Sequence, residues 1–292
     1  MQRKIDPLSK KFPLISVVIA TFNSRRRIEK CLLSIKKQTY PNLEIIVVDS
    51  LNYDSQEQKK CKAIIERYAK YYQDGPERSI QRNRGIDEAD GEYVLVIDQD
   101  MYLTSQVIAE CCDKLNGHIA LTIPEISIGF GYWAKCIALE RYISTYLEKG
   151  LNECCRFFKK KDALSVGGYD PRMVGVEDSD FHNKMGEKGK IGKIKNYINH
   201  DEGNMDFWTR IKKRYYYSKS SKDYIKKYSF FALRQFFPIK PAYFKHWKVL
   251  LKNPKVTIGM FFLKGSETIA LFLGLLRGVL RRQKHKSFNY YN

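Results

Sequence analysis

Three apolar runs, each followed directly by polar or acidic residues, constrain the fold of this chain more than any other feature. They are ISVVIA (15–20), EIIVVDS (44–50) and YVLVI (93–97). Continuous β-branched runs of this length predict strands that are buried on both faces. Between the first two runs, Ile28, Cys31, Leu32 and Ile35 repeat with the period of a helix. This alternation predicts an α/β fold with a mostly parallel central sheet flanked by helices.

Polar side chains stand where these predicted strands end. Thr21 to Asn23 follow the first run, Asp49 ends the second, and Asp98 and Asp100 follow the third. Ligands of parallel sheets bind beyond the carboxyl ends of the strands. We therefore expect these side chains to share one crevice.

Further elements are predicted between and after these runs. IALTI (119–123) reads as another strand, RSIQRNRGIDEADG as a helix closed by Gly91, and residues 132–148 as a helix. A helix after the second strand is expected to carry Cys61, Ile64, Ile65, Tyr68 and Tyr72 on its inner side.

The positive charge of the chain is concentrated near its end. The net charge is +20, and residues 206–292 hold twenty Lys or Arg and three acids, a surplus of 17. Such basic density predicts a polyanionic partner, either nucleic acid or an anionic lipid surface. We place a boundary near Asp206, between a domain of residues 1–205 and a basic, aromatic-rich helical region of residues 206–292.

Composition excludes some classes of protein. A hydrophobic fraction of 43% with 13% aromatic residues excludes a disordered chain. The seven cysteines lack CxxC spacing, and the first residues are charged, without an apolar segment. These features favour cysteines that serve packing in a reducing compartment, which implies a cytoplasmic location.

The acidic motifs suggest a metal site only as a set. Two aspartates in D-x-D spacing suit Mg²⁺ or Mn²⁺ bound to a diphosphate, although on that pattern alone solvated acids at a turn are the commoner explanation. Taken together, VVIATFN, EIIVVDS, QRNRGIDEADGEYVLVIDQD, GGYD and EDSD closely resemble glycosyltransferase family 2. The resemblance covers roughly residues 13–203 and implies a GT-A fold and an inverting transfer from a UDP- or GDP-sugar.

The resemblance also implies roles for single residues on the donor side. Thr21, Phe22 and Asn23 would line the nucleotide pocket, and Asp49 would accept a hydrogen bond from the base. Arg82 and Asn83 would meet phosphate or ribose oxygens. For the metal, Mn²⁺ or Mg²⁺, the family pattern makes Asp98 and Asp100 the binding pair, and His200 would complete the shell. Asp100 would be the direct ligand, and Asp98 would lean toward the ribose or sugar.

On the acceptor side, the resemblance places the general base in the Glu177-Asp178 pair. Asp178 would take the proton of the acceptor hydroxyl, and Glu177 would orient Asp178 or the acceptor. Residues 167–170 (GGYD) would lie under the acceptor side of the sugar site. An anionic lipid phosphate as acceptor would need no base, and Asp178 would then position it.

The basic region interleaves Lys and Arg with aromatic residues, followed by the apolar stretch VTIGMFFLKGSETIALFLGLLRGVL. Lys264 and Glu267 interrupt that stretch, which favours monotopic attachment to the inner face of the cell membrane over a membrane span, the alternative. The expected acceptor is therefore a polyprenyl-linked glycan or glycolipid. The QxxRW motif of processive synthases is absent, so transfer of a single sugar is expected.

Two other functions remain open at this stage. A sugar nucleotidyltransferase also combines an α/β sheet with acidic metal ligands, but it usually has a glycine-rich loop where this chain has ATFNSRRR. An RNA-binding protein would use the basic region and leave the acidic pairs without a role. No recognised nucleic-acid motif is present, and no nucleic-acid partner is expected.

Overall fold

The structure, a computed structural model, describes residues 12–22, 25–51, 55–148 and 154–285. The chain divides into two compact units. Unit 1 comprises residues 1–126, 153–171 and 177–201, and unit 2 comprises residues 127–152, 172–176 and 202–292. The predicted domain boundary near Asp206 stays a prediction, since the unit that holds residues 206–292 also includes two earlier segments.

Unit 1 follows the predicted alternation of strands and helices. Its first half contains β1 (Ile15–Thr21), α1 (Arg25–Lys36), β2 (Leu43–Asp49), α2 (Ser55–Ile65), β3 (Lys70–Gln73), α3 (Arg78–Asp87), β4 (Tyr93–Asp98), β5 (Met101–Leu103), α4 (Val107–Lys114) and β6 (Ala120–Thr122). Later come β7 (Glu125–Phe130), β8 (Cys155–Lys159), α6 (Lys160–Ser165), α7 (Glu177–Lys188), β9 (Ile191–Lys193) and β10 (Ile198–Asn204). Strands β7 and β10 begin in unit 1 and continue into unit 2.

The central sheet of unit 1 has seven strands in the order β3-β2-β1-β4-β8-β6-β9. All of its pairs are parallel except those of β8, which runs antiparallel to β4 and β6. In the register, Thr21 lies opposite Asp49 and Ala20 lies opposite Asp98. The carboxyl ends of β1, β2 and β4 are therefore level. A second sheet has the order β5-β10-β7.

Both faces of the central sheet are covered, as the continuous apolar runs predict. On β1, Val17 and Ile19 pack into one buried cluster and Val18 packs into another. Gly85 brings α3 against this strand, because a Cβ there would lie 2.2 Å from Val18 Cγ1. The close approach positions the side chains of α3 near the strand ends.

One predicted helix is wrong in its extent. The helix after β2 ends at Ile65, and Tyr72 lies in the short edge strand β3. Tyr68 and Tyr72 continue the four-residue spacing that begins at Ile64, so helical periodicity alone extends the predicted helix too far. The predicted helix over residues 132–148 is confirmed as α5 (Tyr132–Arg141) and a π-helical continuation (Tyr142–Leu147).

Unit 2 is helical apart from the strand ends. Besides α5 it contains α8 (Phe207–Phe236), α9 (Pro241–Lys245), α10 (Trp247–Leu251) and α11 (Pro254–His285). Helix α8 is kinked at Ser229, whose φ of 46° and ψ of −121° are not helical. One segment of α11, Pro254–Arg277, is long and apolar enough to cross a membrane, by length and composition only.

Two charged residues within that apolar segment are turned into unit 2. Lys264 lies 3.5 Å from Glu140 and 3.2 Å from Glu267, and Glu267 accepts a hydrogen bond of 2.6 Å from Arg210 Nε. Lys240 also pairs with Glu140, at 3.1 Å. The outward side of α11 instead exposes large apolar side chains, namely Ile258, Phe262, Ile269, Phe272, Leu273 and Leu276.

Candidate active site

A fully buried arginine joins three of the predicted site motifs in unit 1. Arg82 Nη2 donates to Asp98 Oδ1 at 2.7 Å, and Arg82 Nη1 donates to Asp178 Oδ1 at 2.8 Å. Arg82 lies on α3, Asp98 ends β4, and Asp178 lies in the first turn of α7. The predicted donor-side and acceptor-side acids therefore share one guanidinium.

Glu177 belongs to the same charge cluster. It is buried, and its Oε1 lies 2.8 Å from Arg78 Nη2 and 3.6 Å from Arg82 Nη1. Arg78 also reaches Asp98 at 3.9 Å. Two arginines one helical turn apart on α3 thus face three carboxylates.

The two acids of the D-x-D motif differ in their electrostatics. Burial opposes ionisation of Asp98, but the charges of Arg82 and Arg78 outweigh it and hold the pKa of Asp98 well below its usual range. Burial raises the pKa of Asp100, which gains only partial compensation from His200 and Arg27. Asp100 is therefore less well compensated than Asp98, although Arg27 Nη1 lies 3.5 Å from its carboxylate.

Asn83 holds the GGYD loop in place. Its Nδ2 donates to the Tyr169 carbonyl and its Oδ1 accepts from the Tyr169 amide, both at 2.8 Å. Gly168 allows this contact, since it has φ +61° and a Cβ there would lie 2.6 Å from Asn83 Oδ1. The Tyr169 ring lies under the Arg82 guanidinium, 5.1 Å away. The loop thus supports the shared arginine from below.

Several residues that are predicted to bind the nucleotide lie around the carboxyl ends of β1 and β2. Asp49 is buried, and its carboxylate accepts hydrogen bonds from Thr21 Oγ1 at 2.6 Å and from Tyr71 OH at 3.1 Å. Phe22 is half-exposed, and its backbone binds both ends of the Gln99 amide. Asn23 lies outside the described residues. The nucleotide-binding roles of Thr21, Phe22, Asn23, Asp49, Arg82 and Asn83 stay predictions.

His200 lies beside Asp100, as a role in a shared metal site requires. Strand β10 pairs with β5 so that His200 stands opposite Met101. His200 Nε2 is 3.8 Å from Asp100 Oδ1, and Nδ1 is 2.9 Å from Glu125 Oε2. Glu125 Oε1 in turn binds Arg156 Nη2 at 2.6 Å and Nε at 2.9 Å.

The side chains around Asp100 fit a divalent cation whose coordination shell is completed by ligands from outside the protein. Among the residues that the structure describes, no three His, Cys, Asp or Glu side chains form a closed metal site. Mg²⁺ and Mn²⁺ accept oxygen ligands, and Mg²⁺ usually combines one or two carboxylates with phosphates and waters. Asp100 and the facing Nε2 of His200 could supply the protein's share.

Sequence reasoning missed five residues that build this site. Gln99 binds the Phe22 backbone, and Gln81 Nε2 donates to the Thr21 carbonyl at 2.8 Å. Arg78, Glu125 and Arg156 supply the remaining charges. The signal for Arg156 was present, because an arginine inside the apolar strand CRFF implies a buried partner.

Comparison with known proteins identifies the family. The model of glycosyl transferase family 2 matches residues 16–163, just over half of the chain. The chain belongs to glycosyl transferase family 2. The match ends before the GGYD loop and α7.

Solved structures show the same fold. The mannosyltransferase PcManGT from Pyrobaculum calidifontis, in complex with GDP-Man and Mn²⁺, aligns with a TM-score of 0.59 at 17% identity, over 91% of this chain and 87% of that one. Residues 1–349 of S. aureus TarS, in complex with UDP-GlcNAc, align with a TM-score of 0.52 at 16% identity, over 95% and 93%. The expected mostly parallel sheet of the GT-A fold is confirmed.

Curated relatives match over shorter segments. The GalNAc(5)-diNAcBac-PP-undecaprenol beta-1,3-glucosyltransferase of Campylobacter jejuni is 34% identical over 115 residues, which are 36% of this chain and 35% of that protein. The chain spans about a third of the length of the first curated relatives it matches. This chain thus shares its family and fold with these proteins. The activity and substrates of the whole relatives do not follow for this chain from matches of this length.

Proposed function

We propose that the chain is an inverting, metal-dependent glycosyltransferase that moves one sugar from a UDP- or GDP-sugar to a membrane-associated acceptor. The observation that carries the proposal is the convergence of Asp98 and Asp178 on the buried Arg82. A buried guanidinium with two carboxylates from distant parts of the chain requires the strand end and the helix start to meet. Such a meeting point suits a reaction between a donor and an acceptor.

Each group then has a chemical task. Asp178 is placed to accept the proton of the acceptor hydroxyl as its oxygen bonds to the anomeric carbon and the bond from that carbon to the diphosphate breaks. Attack opposite the leaving group inverts the anomeric centre. Asp100 and His200 would hold Mn²⁺ or Mg²⁺, which stabilises the negative charge of the leaving diphosphate. Arg82 positions Asp98 and Asp178, and Glu177 is held by Arg78.

Neighbours in fold and sequence indicate which donors and acceptors are reasonable under this proposal. PcManGT was solved with GDP-Man and Mn²⁺, and TarS with UDP-GlcNAc. The Campylobacter relative carries an undecaprenol-linked substrate in its name. These properties belong to those proteins, and they suggest which donors and acceptors to test first.

A panel of UDP- and GDP-sugars with Mn²⁺ tests the donor side, with release of UDP or GDP as the readout. We expect one donor to be turned over in the presence of membrane lipids, and Asp100→Ala to reduce its turnover at least about 100-fold, the size of effect seen when one group that stabilises transition-state charge is removed. Asp113→Ala, which removes an exposed acid of α4, is the control and should retain activity. Undiminished turnover by Asp100→Ala would contradict the role of Asp100 in metal binding. Failure to turn over any donor would contradict the proposed glycosyltransferase activity.

We infer further that unit 2 attaches the protein to the inner face of the cell membrane. In α11, Lys264 and Glu267 are paired inward while apolar side chains point outward. A surplus of 17 positive charges in residues 206–292 favours anionic headgroups. Unit 2 also contains a cavity of about 640 Å³, which is lined mostly by apolar side chains and also by Arg234, Lys240 and Glu148.

Liposome flotation tests this attachment, run beside an RNA gel shift. The protein should float with vesicles that contain anionic phospholipid and less with neutral ones. RNA binding without lipid binding would contradict the membrane proposal and favour an RNA-binding protein.

A further inference from the structure

The carboxylate of Glu125 is shared between His200 and a buried arginine. Its Oε2 lies 2.9 Å from His200 Nδ1, and its Oε1 binds Arg156 at 2.6 and 2.9 Å. Arg156 is only 4% exposed. It lies in β8 of the central sheet and also donates to the Val96 carbonyl at 3.5 Å. The position of the Glu125 carboxylate is thereby determined by the fold.

This arrangement selects one tautomer of His200. A carboxylate only accepts hydrogen bonds, so the proton between Glu125 and the ring lies on Nδ1. In the neutral ring, Nε2 then carries the lone pair. That nitrogen lies 3.8 Å from Asp100 Oδ1.

We propose that Glu125 is a positioning residue, held by Arg156, which keeps His200 in the Nδ1–H tautomer so that Nε2 and Asp100 together present ligands to the divalent cation. The inference rests on the metal role in the proposed function. Hydrogen bonds of this kind to the second ring nitrogen orient ligating histidines, and their loss lowers metal affinity about 10–100-fold. The proposal names Glu125 and Arg156 as residues that act through His200.

Arg156 makes the substitution Glu125→Gln informative. Arginine has donors and no acceptor, so the amide introduced at position 125 must turn its oxygen toward Arg156. Its NH₂ group then faces His200 Nδ1 as a donor. The proton of the ring moves to Nε2, and the nitrogen that faces Asp100 can no longer bind a metal.

Nitrogen NMR of the histidine rings tests the tautomer without metal or activity. In the protein labelled with ¹⁵N-histidine, His200→Asn identifies the His200 signals by their loss. We expect protonated Nδ1 and unprotonated Nε2 in the wild type, and the reverse in Glu125→Gln. The opposite tautomer in the wild type, or no change in the variant, would overturn the inference.

Affinity for Mn²⁺ in the presence of UDP or GDP, followed by the electron paramagnetic resonance signal of free Mn²⁺, gives the second readout. Glu125→Gln should weaken binding about 10–100-fold. Glu66→Gln, which removes an exposed carboxylate paired with Lys62, is the matched control and should bind like the wild type.

The double variant Glu125→Gln/Arg156→Gln separates tautomer control from packing. A glutamine at position 156 can donate or accept, so the amide at position 125 is free to turn its oxygen to Nδ1. Affinity should return to within a few-fold of the wild type, with folding checked by thermal unfolding. A folded double variant that binds no better than Glu125→Gln would contradict the proposal.

A wild type that binds no Mn²⁺ with either nucleotide would overturn the metal role of the proposed function and this inference with it. Mn²⁺ binding that Glu125→Gln leaves unchanged would overturn this inference alone.

Discussion

At the scale of single residues, Arg82 shows how a buried charge is tolerated in this fold. Removing a guanidinium from water is costly, and the cost is offset only when carboxylates with good geometry replace the water. Asp98 and Asp178 lie at 2.7 and 2.8 Å, and Glu177 lies slightly further away. Their charges raise the pKa of Arg82 well above its usual value although burial lowers it.

Replacing Arg82 should therefore destabilise unit 1. Arg82→Met leaves Asp98 and Glu177 buried without this counter-charge, and we expect a loss of about 3–5 kcal/mol in the free energy of unfolding, measured in urea. Arg84→Met on the same helix breaks a pair with Glu88 and a cation–π contact with Tyr72 near the surface and should cost only about 1 kcal/mol. Similar losses for both variants would contradict the role given to Arg82.

The depressed pKa of Glu140 predicts how the free energy of unfolding depends on pH. Burial raises its pKa, but Lys264 and Lys240 outweigh this effect and hold the pKa well below its usual value. Because the folded pKa is depressed, the stabilisation is present above the unfolded pKa, about 4.3, and is lost as the pH falls through the folded value. Stability should thus decline below about pH 5.

Glu140→Gln should flatten that decline, and unfolding in urea between neutral pH and pH 3 measures it. The control Asp223→Asn changes an exposed acid of α8 and should leave the slope unchanged. A slope that persists in Glu140→Gln would assign the pH dependence to other carboxyl groups.

The sequence predicted single residues best where local pattern and chemistry coincide. Asp49, Asp98 and Asp100 stand at strand ends, so their placement followed from the apolar runs. Glu125 and Arg156 were missed because each acquires its task from a partner 31 positions away. Only folding brings such pairs together.

At the scale of elements, the GGYD loop depends on two neighbouring glycines that differ in their surroundings. Both have positive φ, +76° at Gly167 and +61° at Gly168. A Cβ on Gly167 would meet nothing within 4 Å, whereas one on Gly168 would lie 2.6 Å from Asn83 Oδ1. Only Gly168 is required by both conformation and space.

The pair of substitutions to alanine separates these requirements. Gly167→Ala should cost about 1–2 kcal/mol, the conformational penalty alone. Gly168→Ala should cost more, because it also displaces the Asn83 amide from Tyr169 and lets the loop under Arg82 shift. Thermal unfolding measures both, and equal losses would show that the close contact is unimportant.

Secondary structure was predictable where apolar periodicity was unambiguous. Strands β1, β2 and β4 lie within one residue of the predicted runs. The segment around β3 was not predictable, since β3 is only four residues long, lies at the edge of the sheet and has no fully buried side chain. Edge strands are short and bury little, so their sequences carry a weak signal.

At the scale of the whole molecule, the outward face of α11 predicts membrane binding that can be removed without unfolding. Ile269→Asp/Leu276→Asp places two charges on side chains that are 62% and 58% exposed. Flotation with anionic vesicles should fall at least about tenfold, since burying a charge in the apolar interface costs several kcal/mol.

The control Leu164→Asp changes an exposed apolar residue of unit 1 and should float like the wild type. Binding should also weaken as salt is raised, because the basic surplus acts through screened charges. Flotation unaffected by Ile269→Asp/Leu276→Asp would place the lipid contact on another surface.

Finally, because β1, β2 and β4 end at the same level, the candidate site depends on the exact pairing register of these strands. Side chains alternate between the two faces of a sheet, so sliding β2 or β4 by one residue against β1 would send Asp49 or Asp98 to the opposite face. Deleting a single residue within β1 should therefore move Thr21 away from Asp49 and disrupt the candidate site. Insertions in the connecting loops leave the alignment intact, so the loops are where relatives of this chain can diverge.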